Sequence, residues 1–309
     1  MKPDQKPKVC IGTWTWTSGE YKEKPMPLKD IIEGLGRRKW DGIELSGNRP
    51  HAHPDIYPAG KKRKELIQLL KDNNLQVPSY DTPAKDFSYA EGDPEVIRQF
   101  KESYKEVVDF CTDCGIPTIR VETPIRTYPP RHLDMDAIWP RVRDMFAWCS
   151  DVAAEKDLTI VWEFEPSFII NKPHDVLKMI DEVNRANFKI EFDTCHAYMC
   201  SVKAAGQDPP LERLAGGVVE FAGLLKGKIG HVHVIDSDGT LNEYHTSTHA
   251  PIGRGLLDWK AVLNAIVEAG YDTGWWSIDL HPYYGPDVWN AIEDSRKTLD
   301  KFFTDLGWK

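Results

Sequence analysis

The sequence predicts a single (β/α)8 TIM barrel, and three observations support this fold class. Eight short apolar runs rich in β-branched residues alternate with longer amphipathic stretches. Successive runs end 30 to 46 residues apart, a spacing typical of strand–helix units in such a barrel. No linker or change of composition divides the chain, so we expect residues 1–309 to form one TIM-barrel domain. A doubly wound open sheet is the alternative.

The predicted strands are short and mainly apolar, and they cover 9–13, 42–45, 75–80, 117–122, 158–163, 188–193, 229–234 and 275–279. The stretches between them have the periodicity of amphipathic helices, and Leu66, Leu69 and Leu70 share one face of the first. Several of these helices have Pro or Asp near the first turn, as helix N-termini prefer. They cover 61–73, 94–114, 134–156, 173–186, 210–226, 258–269 and 286–306.

The composition excludes several classes of protein. The 309 residues are 41% hydrophobic and include 11 Trp, 11 Tyr and 11 Phe, which is enough for a large core. The net charge of −9 argues against nucleic acid as a partner. No apolar run is long enough to cross a membrane, and the polar N-terminus does not resemble a secretory signal. The six cysteines form no disulfide pattern, so we expect a cytoplasmic protein.

The residues that close the predicted strands carry the functional signal. In chain order they are Trp14, Glu44, Tyr80, Glu122, Glu163, Asp193, His233 and Asp279. Six of these eight are polar although the strands before them are mainly apolar. In a barrel the active site lies where the strands end, at the C-terminal face. Four adjacent strands that end in Glu, Asp, His and Asp are hard to explain by packing alone.

Strands five to eight therefore predict a metal site. Glu163, Asp193, His233 and Asp279 offer three carboxylates and one imidazole, which suit a divalent ion such as Mn²⁺, Mg²⁺, Co²⁺ or Zn²⁺. The set contains no sulfur ligand, which argues against a structural zinc site. The alternative is an ionic network in the mouth of the barrel.

Five motifs in the C-terminal half follow one another in order. They are LTIVWE (158–163), FDTCHA (192–197), GHVHVID (230–236), PIGRGLLDW (251–259) and the pair GYD and WSID within 270–279. Together they resemble the signatures of the xylose isomerase-like barrels. That superfamily includes sugar phosphate isomerases and epimerases, ketose 3-epimerases, inosose dehydratases and endonuclease IV, and the sequence is also similar to barrel subunits of C-glycoside deglycosidases.

The resemblance implies metal and catalytic roles by position. Glu163, Asp193, His233 and Asp279 match the four metal ligands of the superfamily. Asp279 departs from the pattern, because the family usually has Glu there, and the shorter side chain would draw the metal towards strand eight or need a bridging water. Glu165 follows Glu163 by two residues and points to the same side of the strand, as ligand or base. The expected catalytic residues are Glu163, Glu165, Asp279 and His196, the last matching a family histidine that touches substrate or metal.

Seven side chains are the expected substrate contacts: Trp14, Glu122, His196, His231, His249, Arg254 and His281. Aromatic faces pack against the C–H surfaces of sugars, which favours Trp14. Glu122 with Arg120 could bind two hydroxyls or form a structural ion pair, and Arg254 is the plausible anion contact. His231 lies two residues before His233, either as a substrate contact or as a hydrogen-bond partner behind the ligands. Asp236 either orients these histidines or caps a loop.

One divalent ion, with Mn²⁺ as the first choice, suits removal of a proton next to the carbonyl of a keto sugar or inosose. A carboxylate would take this proton, and its return to the same or the neighbouring carbon gives epimerisation or isomerisation. Loss of a β-substituent gives dehydration. The alternative is a C-glycoside deglycosidase-like lyase that eliminates an aglycone from a 3-keto-glycoside, which the aromatic residues near the strand ends favour.

Three further functions stay open at this point. The DTCHA motif resembles endonuclease IV, but the three-zinc site of that nuclease needs more histidines than the early strands supply. A non-catalytic scaffold subunit would explain the Asp at 279, and a metal-independent glycosidase could use Glu122 and Glu163 as its carboxylate pair. The resemblance implies a small-molecule sugar or glycoside substrate. It also implies a homo-oligomer, or a hetero-oligomer with a small second subunit.

Overall fold

A computed structural model describes residues 6–83, 88–123, 125, 133–283 and 285–308. The strands of its main sheet are β1 (Lys8–Ile11), β2 (Leu45–Ser46), β3 (Tyr80–Asp81), β4 (Thr118–Glu122), β5 (Thr159–Glu163), β6 (Phe188–Asp193), β7 (Ile229–Val234) and β10 (Trp275–Ile278). They pair in parallel in the order β1, β10, β7, β6, β5, β4, β3, β2. Two further strands, β8 (Asp236–Leu241) and β9 (Ser247–Ala250), form an antiparallel hairpin.

The sheet closes where the first and second strand segments meet. The backbone N–H of Glu44 donates to the carbonyl of Ile11 at 2.9 Å, and that of Thr13 donates to Glu44 at 3.0 Å. The predicted barrel fold is confirmed. The second and third strands are shorter than predicted, and a single bridge joins Gly42 to Gln76 before them. Pro78 has no N–H to donate, so the ladder is interrupted before β3 begins.

Helices surround the sheet, and they are α1 (Leu28–Arg37), α2 (Lys61–Asp72), α3 (Pro94–Cys114), α4 (Met135–Ala154), α5 (Pro173–Val183), α6 (Thr194–Tyr198), α7 (Gly217–Leu224), α8 (Trp259–Glu268) and α9 (Val288–Asp305). The longest, α3, begins at Pro94 after the capping carboxylate of Asp93, which accepts from the N–H of Glu95 at 2.8 Å. It ends at Cys114 and is capped by Gly115, whose φ of +68° is the left-handed conformation. Among the described residues, none of the helices combines the length and apolar character needed to cross a membrane.

The segments on both sides of β7 also differ from the sequence prediction. The helix expected at 210–226 begins only at Gly217, because preceding backbone N–H groups are used elsewhere. Glu212 donates to the Gln207 side chain at 2.7 Å and Leu214 to the Ser201 carbonyl at 2.9 Å. The β8–β9 hairpin between β7 and α8 was not predicted, and its contacts with the site are described below.

Asp236 organises the loop that follows this hairpin. Its side chain is buried and accepts hydrogen bonds from the N–H groups of Gly253 (3.0 Å) and Leu257 (3.1 Å) and from the indole of Trp259 (2.8 Å). A Cβ at Gly255 would overlap the same carboxylate, so the loop can pass this closely only with glycine there. Of the two roles considered for Asp236, the structure favours loop capping.

We expect Asp236→Asn to lower the free energy of unfolding by about 1–3 kcal/mol. The amide replaces an acceptor oxygen with a donor that faces N–H groups, and burial prevents water from compensating. Urea unfolding followed by circular dichroism measures the change. Asp238→Asn, an exposed position of the same hairpin, is the matched control. Equal stability of the two variants would contradict the capping role.

Candidate functional site

The four predicted metal ligands meet at the C-terminal end of the barrel. Glu163 and Asp193 end β5 and β6, His233 lies in β7, and Asp279 directly follows β10. All four are buried, and their ligand atoms lie within 4.8 Å of one another. His233 Nδ1 is 3.0 Å from Glu163 Oε1 and 3.6 Å from Asp279 Oδ2. The structure therefore brings together the set that the strand ends predicted.

The chemistry of this cluster fits a cation. Within the described residues, Asp193 Oδ2 is buried and makes no hydrogen bond. Burial raises the pKa of Asp193, and the nearby charges of Asp279 and Glu163 raise it further. A divalent ion would offset this repulsion, and three carboxylates with one imidazole are donors that Mn²⁺, Mg²⁺, Co²⁺ and Zn²⁺ accept. Glu163, Asp193, His233 and Asp279 would hold the ion.

Arg120 is the positive charge beside this acidic cluster. Its buried guanidinium lies 2.7 Å from Glu122 Oε1, 3.2 Å from Glu163 Oε2 and 3.2 Å from Asp81 Oδ1. Burial alone would lower the pKa of Arg120, but the surrounding carboxylates raise it well above its usual value. Burial also opposes ionisation of Glu163, yet Arg120 and His233 outweigh it and lower the pKa of that carboxyl. The Arg120–Glu122 pair considered from the sequence is an ion pair at the edge of the site.

A cavity of about 260 Å³ opens beside the cluster. Glu163, Glu165 and Asp279 line it together with Arg120. Five of the seven predicted substrate contacts also line it, namely Trp14, Glu122, His196, His249 and His281. Pockets for drug-sized ligands start at roughly 300 Å³. The cavity is therefore suited to a small polar ligand.

The other two predicted substrate contacts lie elsewhere. His231 is buried deeper in the barrel, where its Nε2 contacts Glu44, and it is not part of the cavity wall. Arg254 is exposed and also lies outside the wall. Its backbone N–H closes a turn onto the carbonyl of Pro251 at 2.9 Å, and Gly253 has a φ of +81°. This turn keeps Arg254 at the surface, so the structure does not bring the predicted anion contact to the site.

Trp14 positions the shorter carboxylate of Asp279. The indole Nε1 donates to Asp279 Oδ1 at 2.6 Å. The second oxygen, Oδ2, lies 3.6 Å from His233 Nδ1 and 3.7 Å from His249 Nδ1. Burial raises the pKa of Asp279, and the Trp14 hydrogen bond and His233 act against this shift. One oxygen of Asp279 is thus anchored while the other faces the ligand set.

The hairpin holds the remaining predicted catalytic groups. Thr246 Oγ1 donates to Glu165 Oε2 at 2.6 Å, and Ser247 Oγ lies 2.8 Å from His196 Nδ1. His249, on β9, has its ring centroid 5.0 Å from that of His196. Burial lowers the pKa of both histidines to about 4, so each is a neutral imidazole at neutral pH. Neutral imidazoles can accept a hydrogen bond, take a proton or bind a metal.

Residues 35–302 of the chain match the xylose isomerase-like TIM barrel. The chain belongs to this family. A fructoselysine 3-epimerase of Shigella flexneri is 22% identical over 268 residues, covering 84% of this chain and 87% of the relative. A crystal structure of the IolI protein with a zinc atom has a TM-score of 0.74 at 20% identity and covers 96% of this chain and 98% of that one. A D-tagatose 3-epimerase-like protein has a TM-score of 0.73 at 18% identity, with coverage of 96% and 97%.

In this xylose isomerase-like barrel, sequence reasoning missed several residues at the site. Glu44 closes a predicted strand but was not assigned a role, although it contacts His231 and His233. Glu191 precedes Asp193 by two residues, and the two-residue period of strands would have placed both side chains on the inner face. Tyr244 lines the cavity from the hairpin. The sequence of 236–250 does not predict the hairpin, because this segment is polar, contains Gly and Asn, and has no strand pattern.

Proposed function

We propose that this chain is a divalent-metal-dependent sugar epimerase or isomerase. It acts on a keto sugar or an inosose by removing a proton next to the carbonyl. The observation that carries the proposal is the buried cluster of Glu163, Asp193, His233 and Asp279 beside a cavity of about 260 Å³. When bound there, a divalent ion would act as a Lewis acid towards neighbouring oxygens of the sugar.

The comparisons support this choice of reaction. The relative from Shigella flexneri is named as a fructoselysine 3-epimerase, and one structural neighbour is D-tagatose 3-epimerase-like. The IolI neighbour contains a zinc atom, which supports a metal in this chain as well. We propose Mn²⁺ as the metal, because carboxylates dominate the donor set and Mn²⁺ favours oxygen ligands.

Epimerisation needs one group that takes a proton and a second that returns it on the other face of the carbon. Glu163 and Asp279 both line the cavity, and the strands that carry them are separated by β6 and β7. This separation supports Glu163 and Asp279 as the two groups, one to remove the proton and the other to return it. Glu165 and His196 line the same cavity, and we propose that they relay the proton or hold a sugar hydroxyl.

Proton exchange in D₂O tests the proposal. The purified protein would be loaded with Mn²⁺ and given D-fructose, D-tagatose, D-psicose, fructoselysine and an inosose, with ¹H NMR following the C–H next to the carbonyl. We expect exchange on at least one substrate, loss of exchange with EDTA, and recovery with Mn²⁺. Glu165→Gln should slow exchange by about 10²- to 10⁴-fold, whereas the hairpin control Asp238→Asn should not.

The same assay, run also on a 3-keto-glycoside and on a glycoside, tests the other functions. Release of a substituent from a 3-keto-glycoside without epimer formation would support the lyase in place of the epimerase. Hydrolysis of a glycoside that survives EDTA would support a glycosidase. Exchange that EDTA leaves unchanged would contradict the metal dependence.

We also propose that residues 1–309 act as one domain with a small-molecule sugar substrate. None of the six cysteines, all of which lie in described residues, is in a disulfide. This supports a reducing compartment such as the cytoplasm. The association of the chain with copies of itself or with a small second subunit stays a prediction.

A further inference from the structure

Polar side chains continue below the cluster of proposed metal ligands, deeper in the barrel. Glu44, Glu191 and His231 are each at most 2% exposed. The interior of a TIM barrel is normally filled with branched apolar side chains. Buried carboxylates are costly unless partners offset their charge. Packing alone therefore does not explain why Glu44 and Glu191 are buried here.

Both carboxylates contact one nitrogen of His233. Its Nε2 lies 2.7 Å from Glu191 Oε1 and 3.1 Å from Glu44 Oε2. The opposite nitrogen, Nδ1, lies 3.0 Å from Glu163 Oε1, on the side of the other proposed ligands. The imidazole thus has a deep face towards two carboxylates and an outer face towards the ligand set.

The strand geometry explains this arrangement. Asp193 and Glu191 are two residues apart on β6, so both side chains point into the barrel at successive depths. In the register of β6 with β7, Asp193 lies opposite His233 and Glu191 opposite His231. Glu191 therefore approaches His233 from the next inward-facing position of β6, deeper in the barrel than Asp193. Glu44 is held in turn, because its other oxygen contacts His231.

We infer that Glu44 and Glu191 are positioning residues for His233. Glu44 accepts the Nε2–H of the imidazole, and the carboxylate of Glu191 places negative charge 2.7 Å from the same nitrogen, which leaves the Nδ1 lone pair directed at the metal. A carboxylate behind a metal-binding histidine selects the tautomer, orients the ring and makes it a stronger ligand. This inference rests on the proposed function, since it concerns the metal site of that reaction.

Metal affinity of Glu191→Gln is the first test. The Kd for Mn²⁺ would be measured from the electron paramagnetic resonance signal of the free ion, with circular dichroism to check folding. We expect a Kd that is about 10- to 100-fold higher than in the wild type. Asp81→Asn is the matched control. Like Glu191, Asp81 is buried, and it contacts Arg120. Among the contacts of the described residues, none joins Asp81 to His233.

A second readout separates positioning from a general structural effect. In zinc-loaded protein labelled with ¹⁵N-histidine, the Nε2–H of His233 should give a downfield, slowly exchanging proton signal, assigned with His233→Gln. Glu191→Gln should shift or remove that signal, and Asp81→Asn should preserve it. If Glu191→Gln does not fold, Glu44→Gln tests the same nitrogen.

The outcomes distinguish the inference from the proposed function. A wild-type protein that binds neither Mn²⁺ nor Zn²⁺ overturns the metal-dependent function and this inference with it. A wild type that binds metal, together with a Glu191→Gln variant of unchanged Kd and unchanged Nε2–H signal, overturns the inference alone. An equal loss of affinity in Asp81→Asn would also overturn it, because the effect would then belong to the buried charge network as a whole.

Discussion

His233→Ala and Glu163→Gln are each expected to lose the bound metal and to lower turnover of the keto sugar by about 10³-fold or more. His233 and Glu163 contact each other at 3.0 Å in the centre of the ligand set. A Lewis-acid metal supplies several kcal/mol of transition-state stabilisation, and about 1.4 kcal/mol corresponds to a factor of ten in rate. Removal of either ligand therefore has a far larger effect than loss of one substrate contact.

Elemental mass spectrometry of the purified proteins measures the metal, after loading with Mn²⁺ and removal of the excess. One equivalent is expected in the wild type and much less than one in either variant. His174→Ala is the control, because His174 is an exposed histidine that pairs with Glu212 on the outside of the barrel. Full metal content in both variants would contradict the ligand assignment. Three equivalents of zinc in the wild type as purified, before any loading, would instead favour the nuclease.

Arg120→Ala is expected to destabilise the fold by about 3–5 kcal/mol. The guanidinium side chain is 6% exposed and lies within 3.2 Å of carboxylate oxygens of Asp81, Glu122 and Glu163. Its removal takes the nearest positive charge away from three carboxylates, of which Asp81 and Glu163 are buried. Arg120→Lys should be intermediate, since an ammonium keeps the charge but cannot reproduce the planar fork that reaches three partners.

The loss of stability caused by Arg120→Ala should depend on pH in one direction. The pKa of Glu163 is lowered in the folded protein, partly by Arg120, so its ionised form contributes stability above the pKa of an unfolded Glu. That contribution is lost as the pH falls through the lower, folded value. The stability difference between wild type and Arg120→Ala should therefore be largest near pH 7 and should narrow below about pH 4.

Guanidinium chloride unfolding in EDTA, at a series of pH values, measures this difference. Arg98→Ala is the control, since Arg98 forms exposed ion pairs with Glu95 and Glu102 and should leave stability nearly unchanged. A stability difference that grows as the solution becomes more acidic would contradict the proposed role of Arg120.

The functional site was predictable from the sequence to the extent that strand ends determine it. In a parallel barrel all strands point the same way, so a polar residue at the end of each strand converges with its neighbours. Glu163, Asp193 and His233 could be recognised on that basis, and Asp279 follows the last strand directly. Glu122, Glu165 and Trp14 line the cavity for the same reason.

The residues that sequence reasoning misplaced or missed lie outside that rule. Arg254 is the anion contact that the sequence predicts near the ends of strands seven and eight, but a turn at Gly253 keeps it at the surface. Tyr244 and Thr246 reach the cavity through a hairpin whose polar sequence has no strand pattern. Loop paths depend on contacts with distant segments, such as the hydrogen bonds of Asp236, which no local pattern reveals.

The sequence by itself determined the fold class, the order of the barrel strands along the chain and the four residues at the C-terminal ends of β5, β6, β7 and β10. These follow from periodicity and strand spacing, which are local properties. Only the tertiary structure decided the depth of His231, the contact of Glu191 and Glu44 with one nitrogen of His233, and the bond from Trp14 to Asp279. Each of these depends on the stagger and closure of the barrel, which bring together side chains that are up to 265 residues apart.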